Sequence, residues 1–133
     1  MTDRPTVCVV DDDHSVRRSL ARLLRTAGYR AESFASAVEF LANVPRDGPA
    51  CALIDVRMPE VSGFDLFGQL QQKCPGLPVV FITGHGDVGM AERAIKAGAI
   101  GFLVKPVDEG MLLASLERAL GTSGARLTFG GGG

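Results

Sequence analysis

Thr6-Val7-Cys8-Val9-Val10-Asp11-Asp12-Asp13 is the stretch from which the fold can be read. Its first five residues are apolar or β-branched without alternation, the pattern of a strand buried on both faces of a parallel sheet. The run stops at three consecutive acids. Beyond them Val16, Leu20, Leu23, Leu24 and Ala27 fall at helical spacing, and Gly28 stands where a left-handed C-terminal cap belongs. A buried strand leading into an amphipathic helix is one β-α unit.

The unit repeats along the chain. Arg30 to Phe34 predicts a second strand, and Ser36 with Glu39 resembles a capping box opening a helix through Val44. Ala50 to Ile54 predicts a third buried strand ending at Asp55. A loop with Pro59 and Gly63 then leads to a helix carrying Phe64, Phe67 and Leu70 on one face. Val79 to Ile82 is the strongest strand signal, followed by a helix capped by Asp87 and ended by Gly98. Gly101 to Val104 is the fifth strand, and Asp108 caps a last helix with Leu112, Leu116 and Ala119 on one side. Strict alternation implies an α/β, doubly wound, five-stranded parallel sheet with five helices, because right-handed crossovers lay helices on both sheet faces.

Bulk properties agree with one domain. The chain has 133 residues, 46% hydrophobic and 22% charged, enough for a single core. Its net charge of −1 gives no positive field for a nucleic-acid backbone or an anionic membrane, so direct nucleic-acid binding by this chain is not expected. No apolar stretch approaches the roughly 18 residues of a membrane span, and Met1 to Pro5 has no signal-peptide core. Three cysteines without CxxC spacing read as reduced thiols, and a cytoplasmic location is expected. The domain is expected over residues 1–121, with 122–133, Gly-rich and ending in four glycines, as a flexible tail or linker.

In a doubly wound sheet, ligands gather beyond the C-terminal strand ends, where the winding reverses. Asp11, Asp12 and Asp13 follow strand one, Asp55 strand three, Thr83 strand four and Lys105 strand five. Converging carboxylates repel, and a small hard cation relieves them, Mg2+ being the natural candidate with Mn2+ as substitute. A carboxylate beside that cation is suited to accept a phosphoryl group, with Lys105 and Thr83 addressing the remaining oxygens. Each residue also has a plain reading. The acids can cap the first helix, Asp55 can be a turn residue, and Thr83 and Lys105 can be loop residues. Their placement at one end of successive strands is what favours a shared site.

The runs VVDDD (9–13), IDVRMPEVSG (54–63), ITGHGDV (82–88) and FLVKPV (102–107) resemble the signature blocks of response-regulator receiver domains, in that family's order, from about Thr6 to Leu120. ITGHGDV with MAERAIKAGAIGFLVKP (90–106) is most similar to the FixJ-type branch, whose members usually join the receiver to a helix-turn-helix domain. The resemblance implies the flavodoxin-like strand order 2-1-3-4-5 and a phosphoacceptor role for Asp55. Asp11 and Asp12 match the acid pair holding magnesium, Asp12 the more direct contact, although the run of three acids leaves one residue of ambiguity in which two form the pair. Arg57 would lend its backbone carbonyl. Thr83 matches the hydroxyl that moves, Lys105 the motif lysine, and Phe102 the aromatic that moves with Thr83 or simply fills the core. The Lys105–Pro106 bond resembles one held in cis.

Two further positions flank the site. Arg57 and His85 match residues that tune phosphoryl lifetime, His85 reading equally well as a polar loop residue. The implied partners are a sensor histidine kinase and a second copy of the chain, met through the 88–97 helix and strand 101–104. The chain is expected to assist its own phosphotransfer and dephosphorylation rather than act as an enzyme on other substrates, and to control dimerisation or a transcriptional output domain. The alternative is a single-domain phosphoryl shuttle or protein-interaction regulator. A phosphohydrolase would need a second acid just after Asp55, where Val56 and Arg57 stand. A flavin carrier would need aromatic stacking partners, and the chain has no Trp and only Tyr29.

Overall fold

A computed structural model describes residues 4–45, 48–84 and 88–131, with side chains to residue 121. Five parallel strands, β1 (Thr6–Val10), β2 (Arg30–Phe34), β3 (Cys51–Asp55), β4 (Val79–Thr83) and β5 (Gly101–Val104), form one sheet in the order β2-β1-β3-β4-β5. Between and after them lie α1 (His14–Thr26), α2 (Ala37–Ala42), α3 (Gly63–Lys73), α4 (Val88–Ala97) and α5 (Glu109–Gly131). The chain winds outward from β1 to β2 and then restarts at β3 on the other side of β1. The reversal point therefore lies between the ends of β1 and β3.

β1, β3 and β4 lack polar alternation because both their faces are covered, whereas the edge strand β2 is mostly exposed. Val7, Val9, Leu53, Val80, Ile82 and Leu103 pack with Leu20 and Leu24 of α1 and Leu112 and Leu116 of α5. The intervening residues Cys8, Val10, Ile54 and Phe81 pack with Phe40 of α2, Leu66, Phe67 and Leu70 of α3 and Ala94 of α4. Each buried Leu, Ile or Phe contributes about 1.5–3 kcal/mol by leaving water. α4 is the least anchored helix, with Ala94 its one buried residue among those described. Arg93 stacks over the Phe64 ring at 4.2 Å and adds a tie from α4 to α3.

Local chemistry sets the helix ends. Asp13 Oδ1 accepts from Ser15 N at 2.8 Å and Val16 N at 3.2 Å, and Ser62 Oγ accepts from Asp65 N at 3.1 Å. Ser36 Oγ accepts from Glu39 N at 3.0 Å, while the Glu39 carboxylate reaches Ala35 N, one residue before the cap. Gly28 and Gly98 take φ of 99° and 110° just beyond α1 and α4. One boundary differs from expectation: α2 stops at Ala42 and does not reach Val44. Asn43 leaves the helical region with its side-chain amide on the Glu39 carbonyl at 2.8 Å, and Pro45 disfavours helix in the residue before it.

Candidate functional site

Strand register explains why acids meet. Val10 pairs with Ile54, so the next residues, Asp11 and Asp55, fall side by side on neighbouring strands. By alternation both belong to the sheet face covered by α1 and α5. Lys105, two residues beyond Leu103, belongs to that face as well, whereas Thr83 shares the parity of Phe81 on the opposite face. Lys105 and Thr83 are joined through the backbone, Lys105 N donating to the Thr83 carbonyl at 2.8 Å.

The side chains converge accordingly. One carboxylate oxygen from each of Asp11, Asp12 and Asp55 can be chosen so that all lie within 4.8 Å of one another. Lys105 Nζ sits 2.8 Å from Asp11 Oδ2 and 3.5 Å from Asp55 Oδ2. Asp11 is fully buried and Asp55 is 4% exposed, whereas Asp12 is exposed and opens the cluster to solvent. Burial, and next the charge of Asp11, push the Asp55 carboxyl up from 3.8 to about 6, against the opposing pull of Lys105 and the Arg57 N–H. Burial of the Lys105 ammonium works against its charge, but the two carboxylates outweigh it and its pKa lies above the ordinary value.

The first acidic loop resolves its own ambiguity in geometry. Asp13 is spent on capping α1, so Asp11 and Asp12 are the two that meet Asp55. Asp11 Oδ1 accepts from Asp13 N at 2.8 Å, whereas buried Asp11 Oδ2 accepts no aligned hydrogen bond and is met by the Lys105 ammonium alone among the described residues. A buried carboxylate oxygen met only by the Lys105 ammonium, two further carboxylates beside it and one of them already destabilised in its charged form suit a divalent cation with oxygen ligands. The residues present fit that group.

Other expected residues take their places around this cluster. Arg57 N donates to Asp55 Oδ1 at 3.3 Å, and the Arg57 side chain is exposed. Thr83 is fully buried, and half-buried Phe102 packs against the core cluster that contains Phe81 and Ala94. The Lys105–Pro106 peptide is cis. His85 and the cap expected at Asp87 lie outside the described residues. Cys8 and Cys51 are buried strand residues whose thiols burial pushes up to about 12, which makes them packing groups rather than nucleophiles.

Gly63 is a site residue that sequence reading placed only in a loop. A Cβ there would run into the Asp55 carbonyl oxygen and stand 2.9 Å from Val56 Cα, while Gly63 N donates to the Val56 carbonyl at 2.9 Å. The start of α3 thus presses against the backbone that carries Asp55. Gly63→Ala is expected to cost about 3 kcal/mol in urea unfolding, because backbone atoms cannot yield as a side chain would. Gly68→Ala, in the same helix with open space around its Cβ position, should instead stabilise by about 1 kcal/mol. Equal effects at the two glycines would refute the close-approach account.

Residues 7–117 match the family of response regulator receiver domains. The chain belongs to that family. The receiver is 46% identical over 121 residues to the response regulator protein TodT of Pseudomonas putida, covering 90% of this chain and 53% of TodT. To the transcriptional regulatory protein FixJ of Rhizobium meliloti it is 42% identical over 119 residues, covering 90% of this chain and 58% of FixJ. Among solved structures, response regulator StyR superposes with a TM-score of 0.83 at 47% identity, over 95% of this chain and 64% of that one. FixJ-N superposes with a TM-score of 0.77 at 42% identity, over 90% and 95%. The receiver spans about half the length of the curated relatives it matches. No helix among its described residues is long and apolar enough to cross a membrane.

Proposed function

We propose that the receiver is switched by phosphorylation at Asp55, with a sensor histidine kinase as donor and a dimerisation or transcriptional output as the consequence. The observation that carries this reading is the meeting of the Asp11, Asp12 and Asp55 carboxylates within 4.8 Å, with Lys105 Nζ 3.5 Å from Asp55. Asp11, Asp12, Asp55 and the Arg57 carbonyl would hold Mg2+, or Mn2+ in its place, which when bound supplies positive charge opposite the phosphoryl oxygens.

The chain's own groups do the rest. Asp55, with its carboxyl raised to about 6, is ionised at neutral pH yet more basic than an ordinary aspartate. One of its oxygens bonds to phosphorus as the bond to the donor breaks, and the donor leaves with that electron pair. Lys105 neutralises charge on the acyl phosphate, and Arg57, together with His85, sets how long water takes to hydrolyse it. Such a protein is a phosphoacceptor that assists its own loading and unloading, not an enzyme with a separate substrate.

The Thr83 hydroxyl then moves toward the new oxygens, and Phe102 fills the space released. Support for this comes from their settings: Thr83 is buried at the end of β4, and Phe102 shares a core with Met90 of the weakly anchored α4. Val88 and Ile95 on α4, Val104 on β5 and Met111 on α5 are large apolar side chains left exposed, suited to a second copy or an output domain. Because TodT and FixJ are longer, we assign residues 122–133 to the connection with such a domain.

Incubation with acetyl phosphate and Mg2+, followed by intact mass, tests the reading. One phosphoryl group should add to the wild type and none to Asp55→Asn. Equal gain by both proteins, or gain by neither, would overturn it.

A further inference from the structure

The backbone of the acidic loop is clamped from three directions. Asp11 N donates to the Phe34 carbonyl at 3.1 Å, which fixes it to β2. Asp11 Oδ1 takes the Asp13 N–H at 2.8 Å. The third hold is a side chain: Arg17, one turn into α1 and half-buried, donates from Nη1 to the Asp11 carbonyl at 2.7 Å, with Nη2 3.5 Å from His14 Nδ1.

That carbonyl belongs to the peptide that joins Asp11 to Asp12, so whatever grips it sets where the Asp12 carboxylate stands. Asp12 needs such a hold. Its carboxylate is exposed, no ion pair with a described residue restrains it, and repulsion from Asp11 and Asp55 drives it outward into water. Backbone restraint is what keeps it in the cluster, and the guanidinium also places a cation behind three anions.

We propose that Arg17 is the positioning residue of the cation site, holding the Asp11–Asp12 peptide so that Asp12 stays converged on Asp11 and Asp55. This rests on the reading of those three acids as a cation site. Arg17 touches neither the cation nor the phosphoryl group, and its effect reaches them through Asp12.

The test is Mg2+ binding to the intact chain, by calorimetry, in wild type, Arg17→Met and Arg17→Lys. Arg17→Met should weaken Mg2+ by about 10–100-fold, the usual effect of removing a group that orients a ligand, and Arg17→Lys, which keeps a cationic donor, should recover part of the loss. Ser36→Ala serves as a comparator: it removes the Ser36 Oγ bond that caps α2 and lowers thermal stability without touching the loop. A merely structural Arg17 would give a lower melting temperature with Mg2+ affinity unchanged, as Ser36→Ala should, and that result would overturn the proposal. If Arg17→Met does not fold, Arg17→Gln, which removes the charge and shortens the reach to the Asp11 carbonyl, decides, an affinity within about twofold of wild type being contrary to the proposal. Absence of Mg2+ binding by the wild type would instead refute the cation site itself, and this inference with it.

Discussion

Asp55→Asn is expected to abolish the stabilisation that beryllofluoride adds over Mg2+ alone, while raising the stability of the protein without either. In wild type a ligand at about 100 times its dissociation constant adds about 2.7 kcal/mol, read as a shift in thermal or urea midpoint. The asparagine has no carboxylate oxygen to bond the beryllium and should show none of the increment that beryllofluoride adds over Mg2+ alone. The gain without ligand follows from the direction of the Asp55 shift, from 3.8 to about 6. Below 3.8 the carboxyl is protonated whether folded or not. As pH rises from there to about 6, the folded chain still holds a proton that the unfolded chain has released, so stability falls through that window and stays at its lower level above it. The amide of the substituted side chain carries no charge and escapes the fall. The variant's advantage should open across the same window and reach roughly 1–3 kcal/mol at neutral pH. An Asp55→Asn protein less stable than wild type at neutral pH would contradict the described crowding of charge.

Lys105→Met should be the most damaging charge substitution at the site. Lys105 faces both Asp11, fully buried, and Asp55, and its removal leaves two carboxylates without a countercharge. Breaking a buried pair from one side costs about 3–5 kcal/mol, and since the Lys105 side chain is 21% exposed a loss of about 2–4 kcal/mol is expected in urea unfolding at neutral pH. The wild-type contribution is complete below the ordinary lysine value of 10.5 and fades only as pH rises through the raised folded value. Over the acid and neutral range it is therefore constant, and any pH dependence of the mutant's deficit comes from the carboxylates. The deficit should shrink as pH falls toward about 6, because Asp55, no longer held down by Lys105, takes up its proton at higher pH in the mutant than in wild type. Adding Asp55→Asn to Lys105→Met should recover part of the loss, because one of the two unpaired charges is then gone. Strict additivity of the two substitutions would show that Lys105 and Asp55 do not interact.

These two residues also mark the boundary of what the chain reveals before it folds. The parallel sheet is legible because Thr6–Val10, Cys51–Asp55 and Val79–Thr83 are apolar runs without alternation, a pattern that only burial on both faces explains. Asp55 and Lys105 are legible as members of one site because each stands where an apolar strand run gives way to a loop. Which acids form the pair is not, since Asp11, Asp12 and Asp13 are equivalent until the orientation of the first turn of α1 commits Asp13 to the Ser15 and Val16 amides. Gly63 needs the packing of α3 against the Asp55 backbone to show its purpose, and Arg17 needs a side chain that doubles back across the loop. The early end of α2 depends on Asn43, whose amide competes locally with the helix and carries no periodic signal.

Locating the modified residue tests the central claim most directly. The acetyl phosphate-treated protein is reduced with borohydride, which converts an acyl phosphate to an alcohol, and its peptides are sequenced by mass. The reduction product should lie at residue 55 and at no other acid. A product at Asp11, Asp12 or Asp13, or an unmodified Asp55 in protein that has gained a phosphoryl group, would contradict the assignment of Asp55 as the phosphoacceptor.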